Sequence, residues 1–322
     1  MFSHYFAVAL RGIRGTPLAS LINLLTLAVG LVCFVTAYSF VAFWDAAEQH
    51  FPKAPDIHVL TGGLGDRGGW APRDRARVPA VAAEFLRTDY PAVKLARATV
   101  IDPELTVAAD GRAERSFGVA VDPEFLEMFD LPFVAGDPRS ALASPRSVVI
   151  TRDFAARLFG PTEPIGKTVV IANALDATVT AVVGAIREPS HLGHSTNAAL
   201  PFDLLASRDV LDALRVRPVP PQFSWRSPDT FVYLYLPPSG NLTADALDAQ
   251  LDEFVARHVP AETRRDFGYS FRLAPVSKLL ADNGDFFDTG LSFATVLLLL
   301  GGLVLGVACV NYANLATARA AR

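Results

Sequence analysis

Three short stretches carry residue types that can do chemistry. The first is Gly160-Pro-Thr-Glu-Pro-Ile-Gly166-Lys167-Thr168. A glycine placed ahead of Gly-Lys-Thr is the pattern of a phosphate loop, whose free backbone N–H groups wrap the phosphates while the lysine reaches the outer ones. That loop needs four residues between its glycines, whereas here five intervene and two of them are prolines without an N–H. The stretch also follows a helical pattern rather than a strand, so the reading is against a nucleotide site. The second is His191 and His194, spaced as a metal pair could be. Zinc needs three or four ligands with support behind them. No cysteine or close carboxylate completes the set, and Glu188 lies upstream across Pro189, so two surface-loop histidines are expected. The third, Gly193-His194-Ser195-Thr196-Asn197, starts like a nucleophile elbow but lacks its closing glycine. No other Ser/His/Asp set stands out. Asn241-Leu242-Thr243 fits a glycosylation sequon, and a turn followed by a helix cap explains it equally well. The expectation is a chain with no catalytic, cofactor-binding or metal-binding residues: not an enzyme.

What such a chain holds in place is set by two apolar runs. Residues 18–43 and 290–310 carry no charge, and each is long enough to cross a bilayer as a helix. They raise the apolar fraction to 51% of the 322 residues. The first is too long for a signal-peptide core, which is about 7–15 residues. It ends in bulky residues, with Tyr38, Phe43 and Trp44 placed for an interfacial aromatic belt. The net charge of −4 offers no basic surface for nucleic acid. Cys33 and Cys309 both fall inside the runs, as small apolar packing residues, so the intervening module has no disulfide and depends on its core.

Orientation follows from the flanking bases. Arg11 and Arg14 precede the first run; Asp45, Glu48 and Asp56 follow it, with Lys53 the only early base. Asp282, Asp285 and Asp288 precede the second run, and Arg319 and Arg322 follow it. Both termini are therefore expected in the cytoplasm and the module outside it. Residues 1–17 place Phe2, Tyr5, Phe6, Ala9, Leu10 and Ile13 on one helical face and His4, Arg11 and Arg14 on the other, as in a helix lying at the membrane surface. A plain charged flank that only sets topology is the alternative. In the second run Gly302 and Gly306 form a Gly-x-x-x-Gly step that admits a neighbouring helix, from the same chain or a second copy. Asn311 and Asn314, at its inner end, would bond another helix or line a transmission path. Glycines facing lipid without a partner are the alternative.

The module reads as strand–helix–strand at each end of a β-rich middle. Residues 57–60 and 94–101 are strand-like, flanking a helical pattern through Val81, Phe85 and Leu86 that Pro91 stops. The Gly- and Arg-rich loop 62–77 is assigned no chemistry. Asp110-Gly111 marks a turn between strands 105–109 and 115–121. Asp122 and Thr151 stand at helix N-caps, with strands at 147–150, 167–171 and 178–186. Strand 230–236, a helix capped by Thr243 and carrying Leu247, Leu251, Phe254 and Val255, and strand 269–273 repeat the opening pattern. The expected fold is an α+β extracytoplasmic domain at 44–289 between two transmembrane α-helices, 18–43 and 290–314. Its two strand–helix–strand units, 44–104 and 222–289, carry an inserted mixed β subdomain at 105–221. A Pro-rich seam at 217–221 closes that insertion, and 315–322 is cytoplasmic.

These stretches resemble a known family. HYFAVALRGIRGTPLASLINLLTLAVGLVCF looks like the opening of MacB/FtsX-like ABC transporter permeases. VDPEFLEMFDLPFVAGDP, SVVITRDFAARLFGPTEPIGKTVVI and VTAVVGAIREPSHLGHSTNAALPF look like their MacB-type periplasmic core, and CVNYANLATARAAR like the start of the FtsX-like membrane domain. The resemblance implies a non-catalytic, multi-pass permease subunit of the bacterial inner membrane that drives efflux or extrusion, with the two strand–helix–strand units as its porter-like part and the β insertion as its second subdomain. ATP would be bound and hydrolysed by a separate cytoplasmic ABC ATPase, and a second permease copy or half would complete the assembly. Family members carry further membrane helices, so the stop at Arg322 implies an N-terminal portion. A membrane-anchored extracytoplasmic ligand sensor with two transmembrane helices is the alternative that a module between two spans also fits.

Overall fold

The computed structural model describes residues 17–63, 76–194, 198–214, 221–240, 242–281 and 293–320. The expected surface helix with Arg11 and Arg14 lies outside them, as do Ser195, Thr196, Asn197 and Asn241. The chain divides into two compact units, 1–45 with 284–322, and 46–283.

The first unit is a pair of helices, α1 (Pro17–Asp45) and α10 (Phe293–Ala320). The part of α1 at Leu24–Asp45 is long and apolar enough to cross a membrane, while the apolar part of α10 is the shorter Thr295–Val310. The two helices touch at glycines. A Cβ built on Gly30 would stand 3.2 Å from the Leu305 Cα, and one on Gly301 would stand 3.2 Å from the Phe34 Cα. Ala37 and Ala308 are buried in the same seam. No described atom lies within 4 Å of a Cβ on Gly302 or Gly306. The contact within the chain thus runs through Gly30 and Gly301 rather than through the Gly-x-x-x-Gly step. Successive residues point about 100° apart around a helix, so Gly301 and its neighbour Gly302 serve different faces.

In the second unit the elements alternate as their burial dictates. After α1 come a 3-10 turn (Ala54–Asp56), β1 (Ile57–Gly63), β2 (Val78–Pro79), α2 (Ala80–Asp89), β3 (Lys94–Ala109), β4 (Arg112–Val121), α3 (Pro123–Phe129) and β5 (Phe133–Ala135). Then follow β6 (Ser147–Thr151), α4 (Arg152–Phe159), β7 (Thr168–Ile171), β8 (Leu175–Val183), β9 (Leu204–Ser207) and α5 (Arg208–Leu214). A second 3-10 turn (Pro221–Arg226) leads to β10 (Pro228–Tyr235), α6 (Ala244–Asp248), α7 (Leu251–His258), α8 (Ala261–Phe267), β11 (Ser270–Pro275) and α9 (Lys278–Ala281). One continuous sheet runs β11-β1-β10-β3-β4-β9-β6-β8-β5, with β2 paired to β10 and β7 bridging β3 and β8. The opening β1–α2–β3 and the closing β10–α6/α7–β11 interleave antiparallel at one end of it, a split pair of strand–helix–strand units. Two parallel pairings, β4 with β9 and β6 with β8, belong to the intervening segment.

Side chains alternate across the strands. Leu60, Leu95, Val232 and Leu234 face α2, α6 and α7, packing with Leu86, Leu247 and Phe254. Val59, Ala96, Ala98, Phe231 and Tyr233 face the other way, toward Phe51 and the α3 residues Phe125 and Phe129. A third cluster joins the far half of β3, through Leu105 and Val107, to α4 and strands β6–β8.

Three local expectations are refined. The break placed between 104 and 105 lies inside β3, which runs on through register shifts around Asp102 and Leu105. The helix capped by Thr243 is two, α6 and α7, joined at 249–250. Thr151 and Thr243 cap through their hydroxyls, accepting from the Phe154 and Ala246 N–H groups, but Asp122 at the α3 N-cap makes no such bond.

Candidate functional site

Lys167 and the two histidines each meet a carboxylate of the chain. Around Lys167 the backbone N–H groups are spent locally: Gly166 donates to the Val179 carbonyl at 2.7 Å and Lys167 to the Pro164 carbonyl at 3.1 Å. The Lys167 ammonium bonds the Asp110 carboxylate and sits over the Phe159 ring. The Gly166 and Lys167 amides are thus engaged within the chain rather than turned to a phosphate. His191 and His194 turn apart. His194, half exposed, meets the Asp203 carboxylate at 3.0 Å, while His191 is wholly buried. His191 is therefore not the surface-loop residue expected, because a partner distant in sequence holds it inside. Among the described residues no group of three metal-ligating side chains converges.

That partner is Glu48. It sits in the turn after α1 with a left-handed backbone, φ 64°, and is fully buried. Its Oε2 accepts from the Ser190 hydroxyl at 2.9 Å and its Oε1 from the His191 backbone N–H. The His191 Nδ1 lies 2.9 Å from Oε1 at ion-pair distance, with its N–H not aimed squarely at the oxygen. On the other side of the ring, Nε2 stands 3.0 Å from the Tyr233 hydroxyl on β10. That hydroxyl serves either charge state, donating to a neutral ring and accepting from a charged one. Burial pushes the Glu48 carboxyl up, but His191 and the bonds from His191 and Ser190 outweigh it and hold it below its ordinary value. Burial pushes the Tyr233 phenol well above its usual range, so it stays neutral. Glu–His–Tyr in a row has the look of a catalytic relay, yet every member is buried and none lines either of the two described clefts.

A second polar knot surrounds Asp122. Arg97 grips its carboxylate in a fork, Nε to Oδ2 and Nη2 to Oδ1, both 3.0 Å, and donates its backbone N–H as well. Arg87 of α2 donates to Oδ2 at 2.7 Å, and Arg208 of α5 stands 3.9 Å from Oδ1. Arg208 also donates to the Thr99 hydroxyl, which pairs with Thr230 of β10. Burial raises the Asp122 carboxyl, but the Arg97 bonds and the charges of Arg97 and Arg87 bring it below its ordinary value. This engagement is why Asp122 does not cap α3. A third knot, on Asp203, gathers the Phe117 N–H, Arg157 and His194 within 3.0 Å. Sequence reasoning singled out neither Arg97, Arg87, Arg208 and Asp203 nor Glu48, Ser190 and Tyr233 as a set. Their partners lie tens of residues away, and no local spacing marks them.

The larger cleft, about 500 Å³, is lined by Arg87, Pro91, Lys94 and Glu124. Its cations are already engaged, Arg87 with Asp122 and Lys94 with Glu127. A smaller one of about 150 Å³ lies against Thr151, Arg152, Glu188 and His194. Among the described residues, the module's sheet carries three polar knots, on Glu48, Asp122 and Asp203.

The family model of the MacB-like periplasmic core domain matches residues 20–253. No curated protein matches the sequence. Among solved structures, a domain of a permease-like protein from Porphyromonas gingivalis aligns at 19% identity and a TM-score of 0.51, over 77% of this chain and 98% of that one. The periplasmic region of MacB from Actinobacillus actinomycetemcomitans aligns at 12% identity and a TM-score of 0.46, over 70% and 91%. The extracellular domain of YknZ, a noncanonical ABC-type transporter of Gram-positive bacteria, aligns at 15% and 0.40, over 68% and 99%. At 19% identity the likeness to the first of these is one of fold alone.

Proposed function

This chain belongs to the family of MacB-like periplasmic core domains, and from that premise we propose that it is the permease subunit of an ABC transporter that moves its substrate by mechanical work and performs no chemistry itself. In this reading α1 and α10 both span the membrane, both termini are cytoplasmic, and the module at 46–283 lies outside. ATP is bound and hydrolysed by a separate cytoplasmic ATPase. The helices carry its motion to the module, which drives efflux or extrusion. The open Gly302/Gly306 face of α10 is then free to receive a helix of a second permease copy, with Asn311 and Asn314 at the inner end of that contact.

The observation that carries the reading is the way the module uses its charged groups. Lys167, Glu48, Asp122, Asp203 and the two candidate histidines each close an internal bond. A stiff body suits transmission of force, because packed cores move between discrete arrangements rather than deforming smoothly. The test is ATP binding by the full chain in lipid nanodiscs, with and without its ATPase subunit. Saturable binding and ATP-driven transport are expected only in the complex. Saturable binding by the chain alone, abolished by Lys167→Ala, would overturn the reading.

A further inference from the structure

The Glu48 network sits at a telling place. Glu48 follows Asp45, the last residue of α1, after only two residues. The segment it begins is tied down twice. Its polar tie is the carboxylate on Ser190 and His191, doubled by the Glu48 N–H, which donates to the Pro189 carbonyl at 3.1 Å. Its apolar tie is Phe51, buried against Phe129 with ring centroids 5.6 Å apart. Phe129 in turn packs edge-on to Tyr233 at 5.0 Å and touches the His191 ring at 5.4 Å. Both ties therefore end on β10, which lies between β1 and β3 in the sheet.

A buried carboxylate held by polar partners is a poor way to gain stability, since well-packed apolar residues of the same volume often do as well or better. What such a network does is fix one geometry: the Glu48 carboxylate meets the Ser190 hydroxyl and the His191 backbone N–H together in this arrangement and loses both when the segment shifts. The left-handed backbone of Glu48 fits this, because a non-glycine residue stays there only where its surroundings over-determine it. We propose that the buried Glu48–Ser190–His191–Tyr233 network is a joint that locks the chain leaving α1 to the 187–194 segment and to β10, so that force on that chain reaches the sheet without local slack. The inference rests on the force-transmitting reading above and adds its point of attachment.

The joint is tested without transport, ATP or a partner, so its failure is distinct from failure of that reading. Amide hydrogen exchange is followed by mass spectrometry in the full chain in nanodiscs, for wild type, Glu48→Gln and Tyr233→Phe. Exchange across 46–51 and 190–193 is expected to quicken at least about 10-fold in both variants, while β3 and β10 keep their wild-type protection. Tyr233→Phe removes one oxygen from a ring that stays packed, so it decides the matter if Glu48→Gln does not fold. Unchanged exchange across 46–51 in Tyr233→Phe would overturn the joint. So would a rise spread evenly over the whole module, which would make the network ordinary core.

Discussion

Asp122→Ala is expected to lower the unfolding free energy of the module by about 3–5 kcal/mol, the usual cost of removing one partner from a buried ion pair. Asp122 is the one carboxylate held between Arg97, Arg87 and Arg208, and its side chain is only 5% exposed. Its loss leaves Arg97, whose side chain is 14% exposed, with the more distant charges of Glu84, at 3.7 Å, and Asp212. The cap of α3 is not at stake, because the Asp122 side chain does not cap. The sign of the pH dependence follows from the lowered carboxyl. Its contribution is fully present above the ordinary carboxylate value near 3.8 and is lost as pH falls from there through the lower folded value. Asp122→Asn keeps the shape and removes the charge. It should lose most of the same stability at neutral pH and flatten the decline below pH 4. Urea titrations of wild type and both variants at neutral and acid pH measure this, and an Asp122→Asn midpoint equal to wild type at neutral pH would refute it.

Phe129→Ala should cost a similar amount, about 3–5 kcal/mol, through the cavity it opens. Phe129 is wholly buried and meets Phe51, Phe125, His191 and Tyr233 with centroid distances of 4.8–5.6 Å. It is the apolar backing of the Glu48 network, so the loss should appear both in global unfolding and as weaker protection of 46–51. Leu is the milder control, keeping most of the volume. A loss below about 1 kcal/mol for Phe129→Ala would mean that the surrounding rings collapse into the space, and that the box is soft rather than rigid.

The parts of this fold that were legible in the sequence are those fixed within a few residues. The Asp110-Gly111 turn joins β3 and β4 because both residues take positive φ, which a tight hairpin needs. Thr151 and Thr243 cap as read because a cap bond spans three residues. Alternation and helical spacing gave most strands and helices for the same reason. What was hidden depends on distant partners. His191 reads as a loop residue among Pro189, Gly193 and His194, yet Glu48, 143 positions away, takes it into the core. Asp122 reads as a cap, yet Arg97 reaches it across the sheet and supplies stronger bonds than a cap would. Asp102-Pro103 reads as the end of a strand, but irregular pairing with β4 carries β3 past it. On α10, three glycines at 301, 302 and 306 could each admit a neighbour. Only the placement of α1 shows that Gly301 does so within this chain.

The central claim is that the module stands outside the membrane, where a cytoplasmic ATPase reaches it only through the helices. Cys33 and Cys309 are the only cysteines, so a chain carrying Cys33→Ser and Cys309→Ser offers a silent background. Ser239, in the exposed turn 238–240, is the place for a single new thiol. Spheroplasts expressing that chain with Ser239→Cys are treated with a membrane-impermeant maleimide before and after permeabilisation. The account predicts full labelling of intact spheroplasts, unchanged by permeabilisation. Labelling that appears only once the membrane is opened would place the module in the cytoplasm and contradict it.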